Sequence, residues 1–212
     1  PDLSDAADTL VTALVERASN DTQGYDLHFS PTNTWPGQVI ATAQTRFAVC
    51  AVLQTTLGAT LGDVTITVNG VGNDWSYLRS QSALEQGDDQ LLLWHGGEWC
   101  SVGTITPLGG GSYSMTLKRA RLGSLAFAHA IGVVLFLIPR NELVAQRHAD
   151  FANVEAGGVY NAGVATKYFK VRPVGAGGLQ GNLTAAFSCQ LRDPTPDAIA
   201  DPGIAVVTMT VS

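Results

Sequence analysis

Residues 91–139, LLLWHGGEWCSVGTITPLGGGSYSMTLKRARLGSLAFAHAIGVVLFLIP, leave this chain few folds to choose from. The first apolar run, 91–94, stops at His95-Gly96-Gly97-Glu98 and resumes over 99–105. Two glycines between apolar runs supply the positive φ angles that a short hairpin requires. Gly109-Gly110-Gly111 turns the chain again into 112–118, where Tyr113, Met115 and Leu117 alternate with Ser114, Thr116 and Lys118. A period of two sends one set of side chains to a core and the other toward water, the mark of a half-buried strand. One unusual insert, KRARLGSLAFAHAIG, stands between this strand and the next apolar one. The stretch reads as antiparallel scaffold, with no catalytic step in it.

The rest of the chain is punctuated in the same way, with 23 glycines and 9 prolines between short apolar runs. That is the punctuation of a β-rich protein. Strands are expected over 25–29, Gln38–Gln44, 46–55 and 63–69, the last followed by the hairpin signal Asn69-Gly70. A short strand from Trp75 leads into an exposed acidic loop ending at Asp89, and 141–149 reads as a short helix or turn. Further strands are expected over 168–173, 183–191 and 204–211, with a glycine loop at 175–178. Helical periodicity is confined to 2–19, where Ser4 or Asp5 can cap a face of Leu10, Val11, Leu14, Val15 and Ala18. The expected fold is mainly β, an antiparallel β-barrel or sandwich with one short N-terminal helix. Residues 1–90 would carry that helix and a β region, and 91–212 a β-rich domain, unless the two form one continuous domain.

Composition removes several function classes. Hydrophobic residues at 45% and charged ones at 14% leave ample apolar surface to offset ordering entropy, so the chain folds. A net charge of −6 argues against sequence-independent nucleic-acid binding, which needs a surplus of Lys and Arg to displace phosphate counterions. The longest apolar run, 131–138, is far short of the roughly 20 residues of a membrane-spanning helix. Cys50, Cys100 and Cys189 lie apart in apolar settings with no C-x-x-C pair, which reads as buried thiols in a protein made in a reducing cytoplasm. The chain begins at Pro1, which suggests processing or a piece of a longer protein.

No motif announces a reaction. His28, His95, His129 and His148 show no metal-ligand spacing, and no G-x-S-x-G elbow or phosphate loop is present. No cofactor and no metal are expected; Glu85, Asp88 and Asp89 lack the alternate-residue spacing of a compact calcium loop. His95 with Glu98 is the nearest approach to an acid/base pair, but it spans a hairpin turn, where polar residues belong anyway. Glu98 with Asp88 or Asp89 would be the carboxylate pair of a cell-wall polysaccharide hydrolase. Trp35, Trp75, Trp94 and Trp99 could line a glycan-binding face on a host surface, although core and hairpin packing is the safer account for most of them. The basic cluster Lys118-Arg119-Ala120-Arg121 is either a partner contact or a solvated strand end.

That cluster also carries a family resemblance. Leu117-Lys118-Arg119-Ala120-Arg121-Leu122-Gly123, then Ala128-His129-Ala130-Ile131-Gly132, then the buried run 133–138 resemble a segment of the tail-tip, or baseplate hub, proteins of long-tailed bacteriophages and gene transfer agents. The likeness extends over roughly residues 91–178 and departs from the family pattern at Ala120, where Gly is common. It implies a non-enzymatic virion structural protein that helps close the tail tube and contributes to host attachment. Such a protein would be made in the bacterial host's cytoplasm and assembled as a trimer with other tail proteins. In that setting Lys118, Arg119, Arg121 and His129 would serve subunit or partner contacts, the arginines bonding carbonyls or a neighbouring carboxylate and His129 anchoring its loop.

Overall fold

The structure, a computed structural model, describes residues 10–17, 21–30, 32–45, 47–72, 74–142, 144–147, 165–191 and 205–210. It is mainly β, as expected, and includes a closed antiparallel barrel. The chain divides into two units, Pro1–Phe47 with Leu143–Ser212, and Ala48–Glu142. The expected division at residue 90 is thereby corrected. Strands from both sides of that position close the same barrel, so a cut there would split one core.

The first unit holds two sheets. In one, β1 (Leu10–Glu16) lies between β10 (Val144–Arg147), antiparallel, and β13 (Ala205–Thr210), parallel. In the other, the order is β12 (Phe187–Leu191), β11 (Ala165–Gly175), β2 (Thr22–Ser30), β3 (Gln38–Gln44). Ala13 and Val15 share a core with Tyr25, Leu27, Phe29, Phe169 and Val171, and the Phe29 and Phe169 rings meet at 5.4 Å. The N-terminal helix is corrected over Leu10–Glu16, which is strand. Ala13, Leu14 and Val15 are buried in succession, so both faces of β1 are covered. A strand apolar on both faces offers a helix-like spacing by accident, and neighbours on either side decide the matter. Residues 2–9, 18 and 19 of that expectation lie outside the described residues.

The second unit is the barrel. Its strands are β4 (Val49–Leu53), β5 (Asp63–Val71), β6 (Leu91–His95), β7 (Glu98–Gly109), β8 (Ser112–Arg121) and β9 (Val134–Pro139). They pair in the order β4-β5-β8-β7-β6-β9, and β9 closes on β4. Gly96 and Gly97, both at positive φ, make the β6–β7 turn where the sequence asks for it. Alternate residues fill the interior: Val49, Ala51 and Leu53; Ile66 and Val68; Leu91 and Leu93; Cys100 and Val102; Met115 and Leu117; Leu135 and Leu137. Six short strands thus enclose a packed core of side chains.

Three local expectations change. Asn69-Gly70 is no turn, because β5 runs on to Val71 and the Gly70 amide donates to the Gly111 carbonyl at 2.9 Å. Gly70 is needed for another reason: a Cβ there would stand 2.6 Å from the indole nitrogen of Trp75. Trp75 sits in a 3₁₀ turn (Asp74–Tyr77) instead of a strand, and the acidic loop contains the short helix α1 (Ala83–Gly87). A capping box between Ser82 and Glu85 starts α1, each side chain bonding the other's backbone amide. Residues 140–142 form a 3₁₀ turn before β10, so the turn half of that reading holds over 141–142, Val144–Arg147 is strand, and residues 143, 148 and 149 lie outside the described residues.

Candidate functional site

The period-two alternation that builds the barrel core also turns three polar residues inward at one end. His95 continues Leu91 and Leu93, Glu98 precedes Cys100 and Val102, and Arg119 follows Met115 and Leu117. Glu98 and Arg119 are both about 1% exposed at the side chain and form a two-pronged ion pair. Arg119 Nε donates to Glu98 Oε1 at 2.8 Å and Nη2 to Oε2 at 2.5 Å. His129, 7% exposed, donates from Nε2 to Glu98 Oε2 at 2.8 Å. The amides of Phe127 and Ala120 reach the same carboxylate at 3.1 and 3.4 Å.

The rest of the Arg119 guanidinium is consumed by backbone. Nη1 donates to the carbonyls of Gly58 and Thr60, and Nη2 to that of Phe127. One planar cation with five donors therefore ties β8 to the loop 54–62 and to the strap 122–133, in the manner for which a fork geometry is suited. The two loops are also bonded to each other, Leu57 and His129 exchanging backbone hydrogen bonds at 3.0 and 2.8 Å. Ser124 fixes the start of the strap, its hydroxyl accepting the Trp99 amide at 2.9 Å.

Burial alone raises the Glu98 carboxyl, but the bonds from Arg119, Phe127 and His129 outweigh it and hold Glu98 below the usual carboxylate range. Burial lowers Arg119 in turn, and the Glu98 carboxylate more than restores it. His95 lies edge-on to His129, ring centroids 4.8 Å apart, and its Nδ1 donates to the Val134 carbonyl at 2.7 Å. Burial pushes His95 below the ordinary histidine value, against the pull of Val134. Burial also raises the Cys100 thiol, which donates to Glu98 Oε1 at 3.5 Å. A cavity of about 10 Å³ beside these groups has room for roughly one water.

Both His95 and Glu98 shift in the sense that makes acid destabilising. With its folded value lowered, Glu98 contributes stability above its unfolded pKa and loses it as pH falls through the folded one. His95, also lowered, stays neutral in the fold while the unfolded chain takes up a proton below about 6.5, so stability falls with pH from that point. The urea midpoint of the barrel, followed by tryptophan fluorescence, is expected to drop between neutral pH and pH about 5, and His95→Gln to flatten that part of the profile.

Ala120 explains why Arg121 does not continue the inward series. Trp99 pairs with Arg121 and Ser101 with Lys118, so β8 carries one extra residue. Ala120 occupies the bulge at φ 52°, the left-handed region favoured by Gly. Arg121 is thus turned outward, where Nε and Nη2 bind Asp89 at 2.6 and 3.1 Å. Ala120→Gly should raise barrel stability by about 0.5–1 kcal/mol, read as a higher urea midpoint at unchanged slope, because the left-handed penalty on Ala exceeds the entropy cost of Gly.

The residues singled out in the sequence separate into groups. Arg119 and His129 are buried within one barrel, where both bond Glu98. Arg121 is paired with Asp89, and half-buried Lys118 lies opposite Asp63 and Ser101 in the ladders. Glu98 is no acid/base partner of His95 across a turn: both its oxygens are occupied, as are those of Asp89. Asp88, which donates from its backbone at the end of α1, belongs to neither pair. Trp75 and Trp99 are buried and cannot offer a flat face to a sugar. Trp75 stacks on Tyr113 at 4.2 Å and donates to the Cys50 carbonyl at 2.9 Å. Trp94 is half-buried against Trp99, and Trp35, also partly exposed, carries the Lys170 ammonium 4.8 Å above its ring. Cys50 and Cys100 are buried, and His148 lies outside the described residues.

Glu98 and Arg119 were missed as a pair in the sequence reading. The signal was present, since extending the alternations 102-100-98 and 115-117-119 by one step puts opposite charges on one inward face. Fold and site together define a β-barrel whose buried ion pair fastens two loops across one end. The chain matches no protein-family model, and no curated protein is significantly similar to it in sequence.

Proposed function

We propose that this chain is a structural part of a phage-type tail tip, a β-rich hub domain that helps close the tail tube at its host-facing end. It would be made in the bacterial cytoplasm and assembled as a trimer with other tail proteins. The observation that carries this reading is where the resembling residues fall. Leu117–Gly123, Ala128–Gly132 and 133–138 are the end of β8, the strap and β9, a single hydrogen-bonded device centred on Arg119, Glu98 and His129. Its polar groups are committed to holding loops in place, which suits a part whose task is shape. A cavity of one water's size beside them leaves no room for a substrate.

Immunogold labelling tests the reading. Antibody raised against the purified chain should mark one end of tailed particles from cells that produce it, at the tip distal to the head. Particles that carry no label, while the antibody still detects the chain elsewhere in the lysate, would overturn it.

A further inference from the structure

The strap 122–133 closes over one end of the barrel with little apolar packing to hold it. His129 alone within it is buried, at 7% exposure, while Leu125 is 70% exposed, Ile131 59% and Phe127 42%. An element that hides so little apolar surface is kept in place by its bonds. Those bonds converge on one carboxylate. Glu98 accepts from His129 Nε2 and from the Phe127 amide, and Arg119, itself held by Glu98, donates to the Phe127 carbonyl. The His129 backbone adds its two-bond bridge to Leu57, and Ser124 ties down the first turn. Gly123 and Gly132, at φ 77° and 90°, bracket the strap with backbone that only glycine adopts freely. Each barrel strand, by contrast, is laddered along both edges.

The charges at this fastening are balanced, with none to spare. β7 brings Glu98 and Cys100, β8 brings Arg119, β6 brings His95 and the strap brings His129, while β9 and the loop 54–62 carry no titratable side chain. Farther out at this end, Asp63 stands opposite Lys118 in the ladder and Arg121 binds Asp89, so neither carboxylate is left for a further cation. Half-buried His95 lies opposite Glu98 in the β6–β7 ladder, donates from Nδ1 to the Val134 carbonyl and meets the His129 ring at 4.8 Å. With Nδ1 carrying the donated proton, a second proton must go to Nε2 and make an imidazolium. That charge stands against the His129 ring, beside a carboxylate that Arg119 already neutralises.

From this arrangement we propose that the strap is an acid-operated latch: a proton taken up by His95 drives His129 off Glu98 and swings 122–133 open while the barrel beneath stays folded. Burial holds His95 below the ordinary histidine value when the strap is closed, and opening returns it to water. Opening therefore takes up a proton and becomes favoured as pH falls below about 6.5. It uncovers Cys100, which lies beside Glu98 and lines the small cavity with His95, His129, Leu57 and Leu117. The inference stands on the barrel alone and does not depend on the tail-tip reading.

Labelling of the full chain with dithiodipyridine, a small disulfide that reacts with thiols in acid, is the test. Rates at Cys100 and Cys50, read peptide by peptide by mass spectrometry, are divided by those of the urea-unfolded chain at the same pH, which removes the pH dependence of the thiols themselves. Between about pH 7.5 and about pH 5.5, Cys100 is expected to lose protection several-fold, toward the roughly tenfold per pH unit that uptake of one proton allows. Cys50, also buried but out of step with the inward series of β4, should keep its protection. His95→Asn, whose amide preserves the bond to Val134 but takes up no proton, should hold Cys100 closed at both pH values. His129→Ala should leave it open at both; should that variant fail to fold, wild type against His95→Asn still decides. Protection of Cys100 that does not change with pH, parallel loss at Cys50, or the same loss in His95→Asn would each overturn the proposal.

Discussion

Glu98→Gln is expected to cost the barrel about 3–5 kcal/mol, most of the stability of an ordinary small domain. The substitution keeps the side chain's shape and leaves the Arg119 charge buried with no counter-charge. In the wild-type protein two guanidinium nitrogens face the carboxylate at 2.8 and 2.5 Å in a site sealed from water. Removing one member of such a pair is far worse than removing both, because the loss comes chiefly from the orphaned ion. Glu98→Leu/Arg119→Met should therefore be more stable than Glu98→Gln, by urea titration monitored at the barrel tryptophans. It should not restore the loops, however. Without Arg119 the carbonyls of Gly58, Thr60 and Phe127 lose their donor, and amide exchange at Leu57 and His129 should quicken in the double variant even where global stability recovers. Double and single variants of equal stability would show that the pair is not the cause.

Trp75→Ala is expected to cost about 3–5 kcal/mol by leaving a cavity in the packed core. Trp75 is 7% exposed, stacks on Tyr113, caps the Cys50 carbonyl and rests on the bare backbone of Gly70. Its loss removes contacts on three sides that neighbouring strands cannot collapse to fill, since each is held by its ladder. A glycan platform would behave in the opposite way, losing ligand binding at unchanged stability. Gly70→Ala is the complementary change, because a methyl at 2.6 Å from the indole forces Trp75 out of place. Thermal melts of the two variants should both fall, and a melting temperature equal to wild type in either would contradict this packing.

How much of this was legible in the chain depended on range. Strands β5 to β9 could be read with nearly correct limits, because alternation and glycine turns act over a few residues and the barrel merely accepts what they dictate. Helix α1 was missed although its capping box, Ser82 and Glu85, is local, since the surrounding acidic residues resemble a solvated loop. Leu10–Glu16 was read as helix because the strands that pair along its two edges, β10 and β13, lie more than a hundred residues away in the chain. The basic segment Lys118–Arg121 was recognised as distinctive, but its direction was not. Whether a charge at a strand end points to water or to the core depends on what stands opposite.

The sequence by itself determined that this protein is mainly β, that Gly96-Gly97 joins two strands, and that no familiar catalytic spacing is present. Each of these rests on local backbone preference or on residue identity. Only the tertiary structure decided that the barrel is a unit inserted between two parts of another, that Ala120 is a bulge, and that Glu98, Arg119 and His129 meet. Those residues lie on separate strands and a loop, at separations of 21 and 31 positions from Glu98. A buried charge pair forms only when closure of the barrel removes water from both partners at once, and no local pattern encodes that event.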